Sequence, residues 1–381
     1  MIPVSYRCAV CGGIYPLQEK IFRCACGGFL EVQSVSLFDK SKLNLGRRNI
    51  WRYREAFGVP DDLAQISMEE GCTPLVERRF DGFPLRLKMD FMQPSGSFKD
   101  RGASVLVSFL SWMGIKDICE DSSGNAGAAI AAYAAAAGVQ CTVFVPSYTP
   151  ESKITQIRMY GAEVVRVPGK RQDANDAAIA KSTSSYYASH LWHPFFVLGL
   201  KSAAFEIWED LGEKLPPVVI VPVGSGGFLE GLYLGFESLV HAGYAEKPPK
   251  IIGVQASACA PVHTAFVNNQ NDYARVHTGA TVAEGIAVSR PPRAAAVLNA
   301  LRKCGGYTVA VEDGEILDAA ATLSAAGIYV EPTSASTLAA WRKIRLEDRE
   351  NALLVLTGSG LKAQDTYGTF LQGGDARHDR A

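Results

Sequence analysis

Short strand-like runs and longer helix-like runs alternate along most of the chain. Short apolar runs, most of them rich in β-branched residues, predict strands at 85–91, 117–122, 141–145, 162–167, 218–223, 250–256 and 352–357. Alanine-rich or amphipathic runs predict helices at 104–114, 127–138, 203–212 and 228–243. Because strands that alternate with helices form parallel sheets covered on both faces, we expect an α/β fold with two parallel-rich sheet domains flanked by helices.

Length and charge narrow the class of protein. A chain of 381 residues suggests two domains, or one core with an inserted subdomain. Lys and Arg number 38 against 39 Asp and Glu, so neither nucleic acid nor an anionic membrane is an expected partner. The sequence shows neither an export signal nor a long apolar run, and we expect a cytoplasmic protein that acts on a small molecule.

The cysteines fall into two groups. Five are scattered in apolar surroundings that suit buried, reduced thiols: Cys72, Cys119, Cys141, Cys259 and Cys304. The others form CAVC (Cys8 to Cys11) and CAC (Cys24 to Cys26), each followed by two glycines.

Such thiolate pairs predict a structural, zinc-knuckle-like module over residues 1–33. The second pair is one residue shorter than the usual spacing of zinc ligands. A metal-free knuckle and, less favoured, a catalytic dithiol are therefore the alternatives.

Four loops after strands carry the candidate chemistry, because ligands in such sheets bind beyond the carboxyl ends of strands. The first is PSGSFKDRG, which places Lys99 at a predicted helix start. The helix dipole disfavours a cation there, so this amine is more easily neutral and able to form a Schiff base. The alternative is a solvent-facing lysine beside Asp100 and Arg101.

The second loop is DSSGNAG, with Ser122, Ser123, Gly124 and Asn125 at the turn into a helix. Its backbone N–H groups can hold a carboxylate and Asn125 can donate to an oxygen, although an Asn N-cap explains the pattern equally well.

The third and fourth loops point to a phosphate and a polar ring. Gly224, Ser225, Gly226 and Gly227 follow a predicted buried strand and form a turn suited to one phosphate monoester, without the pattern of a dinucleotide or ATP site. LTGSGLK ends a strand with Thr357, whose hydroxyl can face a ring nitrogen or cap the next segment.

Together these loops resemble the fold-type II pyridoxal enzymes, the tryptophan synthase β-like group, and are most similar to threonine synthase. PSGSFKDRGA resembles that family's lysine motif, SSGNAG its asparagine loop and LTGSGLK its C-terminal motif. The cysteine knuckle and the segments TPL (73–75), VAEGIAV and VEPTSA also fit, so the resemblance covers nearly the whole chain. These motifs are more specific to the superfamily than to one reaction.

The resemblance implies pyridoxal 5'-phosphate as cofactor and a role for each loop. Lys99 would bind the cofactor covalently and move protons, and Asn125 would bond its phenolic oxygen. Gly224, Ser225, Gly226 and Gly227 would hold its phosphate, with Thr357 at the pyridine nitrogen. Ser122, Ser123 and Gly124 would bind the substrate carboxylate.

The resemblance implies a threonine synthase-like conversion of O-phospho-L-homoserine and water to L-threonine and phosphate. The sequence leaves open a cysteate synthase, a serine/threonine dehydratase or a diaminopropionate-type lyase on the same scaffold. A non-catalytic binding module is a further alternative, although a pure binder would not need an amine such as Lys99.

Two departures from the family pattern concern the substrate. Phe195 and Phe196 stand where relatives place an arginine for the substrate phosphate, and Asn125 is followed by Ala126 where many relatives have threonine. Lys201, Arg158 or Lys153 could supply the missing charge.

The resemblance also implies a domain organisation. We expect a knuckle over 1–33, a large cofactor-binding domain from 34–99 and 186–381, and a small domain over 100–185 that closes on substrate. Relatives suggest a homodimer.

Overall fold

The computed structural model describes residues 4–33 and 38–378, so residues 1–3 of the predicted N-terminal module and the start of the predicted large domain at residue 34 lie outside them. Its strands, numbered β1 to β13 in chain order, are Ser5–Cys8, Ile14–Pro16, Leu30–Gln33, Leu75–Phe80, Phe83–Lys88, Asp117–Glu120, Gln140–Pro146, Glu163–Val167, Tyr186–Tyr187, Val218–Pro222, Lys250–Ala256, Tyr307–Val311 and Ala352–Val355.

The α-helices, numbered α1 to α13 in chain order, are Lys99–Trp112, Asn125–Ala137, Glu151–Met159, Arg171–Lys181, Pro194–Leu200, Ser202–Asp210, Gly227–His241, Pro261–Val267, Ala294–Lys303, Asp313–Ala325, Pro332–Lys343, Leu346–Arg349 and Gln364–His378. Short 3-10 helices occur at Lys40–Lys42, Ile50–Phe57, Ser257–Cys259, Glu284–Ile286 and Gly360–Lys362. In this part of the chain, no helix is both long and apolar enough to cross a bilayer.

The chain forms two compact units. The first comprises Met1–Cys72, Gln93–Leu215 and Glu230–Pro248, and the second comprises Thr73–Met92, Pro216–Leu229 and Pro249–Ala381. These units divide the chain at places other than residues 33, 99 and 185, and the three-domain organisation expected from sequence stays a prediction.

The first unit contains a four-stranded sheet in the order β8-β7-β6-β9, in which all neighbours are parallel. The middle strand β7 carries a continuous run of apolar residues, of which Val143 and Val145 are fully buried. Helix α2 packs on β7 through its alanine-rich sequence, and most of its residues are buried. Small side chains allow such a close approach of helix to sheet.

The second unit contains a six-stranded sheet in the order β12-β11-β10-β13-β5-β4. All its pairs are parallel except β4 with β5. Its core joins the sheet to α10 and α11, with Trp341 fully buried among aliphatic side chains. The mixed α/β architecture expected from the apolar pattern is confirmed.

Both edge strands of the six-stranded sheet, β4 and β12, are absent from the strands that the sequence pattern predicts. Only Phe80 of β4 is buried, and β12 has just two buried residues. An edge strand is covered on fewer sides than a central one, so its apolar signal is weak.

The N-terminal module is a small antiparallel sheet in the order β2-β1-β3. Tyr6 on β1 is fully buried and makes edge contacts with Phe109 and Phe195, whose ring centroids each lie 6.4 Å away. Tyr186 donates a hydrogen bond of 2.8 Å to the carbonyl of Ile21. The module is therefore packed on the rest of the first unit.

A buried ion pair holds the first turn of α1 in place. Arg101 is fully buried and donates to both carboxylate oxygens of Glu206 on α6, at 2.6 and 2.7 Å. Glu206 also accepts from the backbone N–H of Cys72 at 2.8 Å, and Arg101 donates to Ser202 at 3.0 Å. Bidentate geometry with additional partners offsets the cost of removing both charges from water.

Replacing Glu206 with glutamine (Glu206→Gln) should lower the free energy of unfolding by about 3–5 kcal/mol, because Arg101 would stay buried without a countercharge. Urea denaturation of the cofactor-loaded protein measures the loss. The control is Glu151→Gln, since Glu151 pairs with Arg158 and Arg166 but its side chain is 61% exposed. The Glu151→Gln variant should change the free energy of unfolding by no more than about 0.5 kcal/mol. Equal losses in the two variants would contradict the special role of the buried pair.

Candidate active site

Lys99 is the first residue of α1, as the sequence predicts. Its Nζ lies 4.7 Å from the ring centroid of Phe98 and 5.7 Å from that of Phe196. The side chain is half-buried, and the neighbours Asp100 and Arg101 are fully buried. The neighbours of Lys99 are therefore not solvated charges, and its role as the reactive amine stays a prediction.

The turn before Lys99 is held by Asp100. Its carboxylate accepts a hydrogen bond of 2.6 Å from the backbone N–H of Ser95 and a second one from the Ser95 hydroxyl. Gly96 has a φ of +88°, a conformation that favours glycine. The small residues of PSGSFKDRG thus build a fixed turn that delivers Lys99 to the helix start.

The loop from Ser122 to Asn125 follows β6 in the same unit. Its turn contains a hydrogen bond from the N–H of Gly124 to the Ser122 hydroxyl, at 3.3 Å. Helix α2 begins at Asn125 and its N-cap residue is Gly124. The N-cap explanation for Asn125 is therefore wrong, and its amide is placed at the helix N-terminus, where the dipole is positive.

Gly127 explains why this loop lies so close to α2. A Cβ at this position would lie 1.8 Å from the carbonyl oxygen of Ser122 and 3.2 Å from Ile157. No side chain fits in that gap, so the loop can approach the helix only over a glycine.

A buried acid and histidine lie just before this loop, and sequence reasoning missed them. Glu120 is the last residue of β6, and its Oε1 lies 2.5 Å from Nδ1 of His190. Both residues are buried, and Oε2 of Glu120 has no hydrogen-bond partner among the described residues. Burial raises the pKa of Glu120, whereas the nearby charge of Lys99 lowers it. The signal available in the sequence was a carboxylate near the end of the strand predicted at 117–122.

In the second unit, the glycine-rich loop joins β10 to α7. Gly226 has a φ of +93°, and a Cβ there would lie 2.3 Å from Cγ2 of Val297. A Cβ at Gly224 would lie 2.7 Å from the carbonyl oxygen of Gly285. Both positions require glycine, and the loop leads directly into a helix N-terminus, which favours anions.

Thr357 follows β13 in the same unit and is 1% exposed. Its hydroxyl lies 3.2 Å from the hydroxyl of Ser334, which also accepts from the backbone N–H groups of Thr357 and Gly358, at 2.9 and 2.8 Å. Ser334 belongs to the VEPTSA segment at the start of α11. This serine fixes the Thr357 loop, a role that the sequence alone does not reveal.

Two of the three residues that could supply a cation for the substrate phosphate, Lys201 and Arg158, have other partners. Lys201 is buried and donates to the carbonyl of Ala56 at 3.0 Å, and burial lowers its pKa to about 8. Arg158 donates to Glu151 at 2.7 Å. Phe195 and Phe196 are both buried.

The four clustered cysteines converge as expected. The Sγ atoms of Cys8, Cys11, Cys24 and Cys26 all lie within 4.8 Å of one another. The other five cysteines lie outside this cluster, and Cys72 is exposed rather than buried as its sequence context suggested.

Known proteins that are similar to this chain support the family that these loops indicate. Residues 66–358 match the family of pyridoxal-phosphate dependent enzymes, and the chain belongs to that family. It is 35% identical to a threonine synthase of Methanocaldococcus jannaschii, over 94% of this chain and 93% of that protein. It is 32% identical to a threonine synthase of Methanosarcina acetivorans, over 94% and 92%.

Solved structures show the same fold. A threonine deaminase of T.th. is 28% identical with a TM-score of 0.65, and the match covers 75% of this chain and 92% of that one. Maize serine racemase is 20% identical with a TM-score of 0.68, over 80% and 93%. The fold-type II pyridoxal class that the motifs indicated for this chain is confirmed.

The residues present fit pyridoxal phosphate. The cofactor needs an amine for its aldehyde, donors for one phosphate and a polar group for its ring nitrogen. Lys99 would supply the amine, and the backbone N–H groups of the turn from Gly224 to Gly227, at the start of α7, would supply donors for the phosphate. Thr357 would supply a buried hydroxyl that Ser334 holds in place.

Replacing Gly127 with alanine (Gly127→Ala) should destabilise the protein by about 1–3 kcal/mol, because the new methyl group overlaps the Ser122 carbonyl. The displaced loop should also weaken cofactor binding. Thermal melting and titration of the apoprotein with pyridoxal phosphate measure the two effects. The control is Gly314→Ala in α10, where a Cβ would have no neighbour within 4 Å. A Gly127→Ala variant that matches this control in both measurements would refute the steric explanation.

Proposed function

We propose that this protein converts O-phospho-L-homoserine and water to L-threonine and phosphate. The observation that carries the proposal is the similarity to threonine synthases over 94% of the chain, at 35% and 32% identity. This coverage includes all four loops that carry the candidate site residues. A whole-length match supports a shared reaction better than a shared fold does.

Lys99 and Asn125 would hold the reacting part of the cofactor. Pyridoxal phosphate, when bound, withdraws electrons from the substrate Cα and so makes its proton acidic. Lys99 would bond the cofactor's aldehyde carbon and, once released by substrate, carry a proton between substrate carbons at its Nζ. Asn125 would donate to the phenolic oxygen. The support for these roles is their position at the starts of α1 and α2.

The second unit would supply the phosphate cup and the ring contact. Backbone N–H groups from Gly224 to Gly227, at the start of α7, would bind the cofactor's phosphate. Thr357 would face the pyridine nitrogen. A neutral hydroxyl does not enforce protonation of the ring as a carboxylate would, and this favours elimination or replacement over transamination.

The substrate carboxylate would bind to the loop formed by Ser122, Ser123 and Gly124. Two features support this assignment. The N-terminus of α2 carries a positive partial charge that favours an anion, and the Ser122 hydroxyl accepts a hydrogen bond from the N–H of Gly124 that shapes the turn.

A serine/threonine dehydratase activity is the second candidate. The observation that favours it is the structural match to a threonine deaminase, at 28% identity and a TM-score of 0.65. A dehydratase needs no cation for a leaving phosphate, which agrees with the other partners of Lys201 and Arg158.

The proposal includes a cytoplasmic homodimer. A metabolic substrate and nine cysteines outside disulfides support a reducing compartment. Sedimentation of the purified protein tests the oligomeric state.

We expect the purified enzyme to release phosphate from O-phosphohomoserine and form threonine in equal amounts. Parallel reactions measure the substrate selectivity. They contain O-phosphoserine with and without sulfite, L-threonine or L-serine, and each is analysed for phosphate and amino-acid products. Ammonia and a 2-oxoacid from threonine or serine alone would identify the dehydratase. Release of phosphate from O-phosphoserine but not from O-phosphohomoserine would also overturn the main proposal.

Replacing Lys99 with alanine (Lys99→Ala) should reduce turnover by at least about a hundredfold, because the proton carrier is lost. Borohydride treatment followed by peptide mass analysis should label position 99 in the wild type and leave the variant unlabelled there. The control is Lys116→Ala, an exposed lysine, which should keep both activity and label. Normal turnover by the Lys99 variant would contradict the assigned role.

A further inference from the structure

A buried acid and histidine lie at one edge of the four-stranded sheet, outside the four candidate loops. Strands β6 and β9 are parallel neighbours, so the segments that follow them leave the sheet at the same edge. The N–H of Ala188 donates to the carbonyl of Cys119 at 2.9 Å and continues this alignment. Glu120 and His190 therefore meet just before the loop that begins at Ser122.

The Glu120 carboxylate has a hydrogen bond on one side only. Its Oε1 lies 2.5 Å from Nδ1 of His190, whereas Oε2 has no hydrogen-bond partner among the described residues. Both side chains are buried, and Glu120 is 0% exposed. Because a buried carboxylate has lost its hydration, its ionised form requires a compensating positive charge.

The neighbouring carboxylate of Asp121 increases this requirement. It accepts hydrogen bonds from the Tyr187 hydroxyl at 2.7 Å and from the side-chain amide of Asn175 at 3.0 Å. Both donors are neutral, so they orient Asp121 without balancing its charge. Two adjacent carboxylates at the end of β6 thus favour a cation nearby.

Two cations act on the acid and the histidine, and they differ in exposure. Burial and the charge of Asp121 raise the pKa of Glu120, whereas the charges of two cations lower it, first Lys99 and then Arg171. Burial and the same two charges lower the pKa of His190, so its ring is neutral. Arg171 is exposed at the start of α4, and water screens its charge. Lys99 is half-buried and is therefore the more effective countercharge.

Phe196 lies between the histidine and Lys99. Its ring centroid is 6.0 Å from that of His190, in an edge contact, and 5.7 Å from Nζ of Lys99. The ring centroid of Phe98 lies 4.7 Å from the same Nζ. Aromatic rings attract a cation but do not replace the water around an ammonium, so the charged form of Lys99 also requires a countercharge.

The carboxylates on either side of the first turn of α1 bind other groups. Asp100 accepts hydrogen bonds from the backbone N–H and the hydroxyl of Ser95. Glu206 accepts from Arg101 through both of its oxygens. Glu120 is therefore the carboxylate whose charge best matches that of Lys99.

We propose that Glu120 is the buried counterion of Lys99 and that His190 holds its carboxylate in place. The ionised carboxylate stabilises the ammonium form of Lys99, so the amine retains a proton taken from one substrate carbon until it delivers that proton to another. Glu120 and His190 are positioning residues, because they act through Lys99. The proposal rests on the proposed role of Lys99 and not on the identity of the substrate.

Other titratable groups face Glu120 but stay neutral near neutral pH. They are the thiols of Cys119 and Cys141 and the phenol of Tyr187. Burial raises the pKa of all three, and that of Cys119 to about 12. The charges that Glu120 experiences near neutral pH are therefore those of Asp121, Lys99 and Arg171.

The rate at which the full-length apoprotein takes up pyridoxal phosphate, followed by absorbance over a pH series, tests the proposal. Only the neutral amine attacks the aldehyde, so the rate rises as the pH passes through the pKa of Lys99. Glu120→Gln removes the countercharge and should lower that midpoint by about one pH unit. Below both midpoints, the variant should therefore take up the cofactor about tenfold faster than the wild type.

Two further variants separate charge from packing. Glu120→Asp keeps the charge but shortens the side chain, and it should stay closer to the wild-type midpoint than Glu120→Gln, which keeps the shape. Glu70→Gln removes another buried carboxylate of the same unit, which accepts from Tyr133 at 2.9 Å, and should leave the midpoint unchanged. A wild-type midpoint in Glu120→Gln, or an equal shift in Glu120→Asp, would overturn the counterion role.

The reverse measurement requires no variant of Glu120. Lys99→Ala removes the cation, so the pKa of Glu120 should rise, because the coupling between two sites is reciprocal. Infrared absorbance of protonated carboxyl groups, recorded in pH titrations of the wild-type and Lys99→Ala apoproteins, measures this change. Identical carboxyl titrations would refute the proposal. Neither measurement uses an amino-acid substrate, so a failure to form threonine and a failure of this pairing are separate results.

Discussion

The buried pair of Arg101 and Glu206 is the interaction on which the position of Lys99 depends. A guanidinium removed from water is tolerated only where a carboxylate and further hydrogen-bond partners surround it. Glu206 meets this demand and also accepts from the N–H of Cys72, so α6, the first turn of α1 and the segment before β4 are fixed together. The reactive amine then emerges from a rigid helix start, two residues before the buried arginine.

Close packing of the helices around this ion pair depends on two glycines. A Cβ at Gly199 would lie 2.1 Å from the carbonyl oxygen of Arg101, and one at Gly102 would lie 2.6 Å from the ring of Phe196. Helices α1 and α5 therefore approach at their glycines. The ring of Phe196 lies beside Lys99, with its centroid 5.7 Å from Nζ, at one of the two positions where the family pattern predicts an arginine.

In the second unit, sheet topology brings two predicted loops together. Strands β10 and β13 are parallel neighbours, so their carboxyl ends lie at one edge of the sheet. The glycine loop after β10 and Thr357 after β13 both leave from that edge, which is where ligands bind in α/β proteins. Loops separated by more than a hundred residues in sequence thus share one face because of strand order.

Sequence by itself determined the α/β class, the central strands and the loops with unusual residue types. Apolar periodicity reports burial, and glycine, asparagine and lysine at strand ends report local backbone and charge requirements. Tertiary structure alone decided the partners: Glu206 for Arg101, Ser334 for Thr357 and His190 for Glu120. These pairs join residues far apart in the chain, so a hydrogen bond between them exists only after packing places them within reach. The edge strands β4 and β12 needed the fold for the same reason, because their neighbours, and not their own apolar pattern, hold them in the sheet.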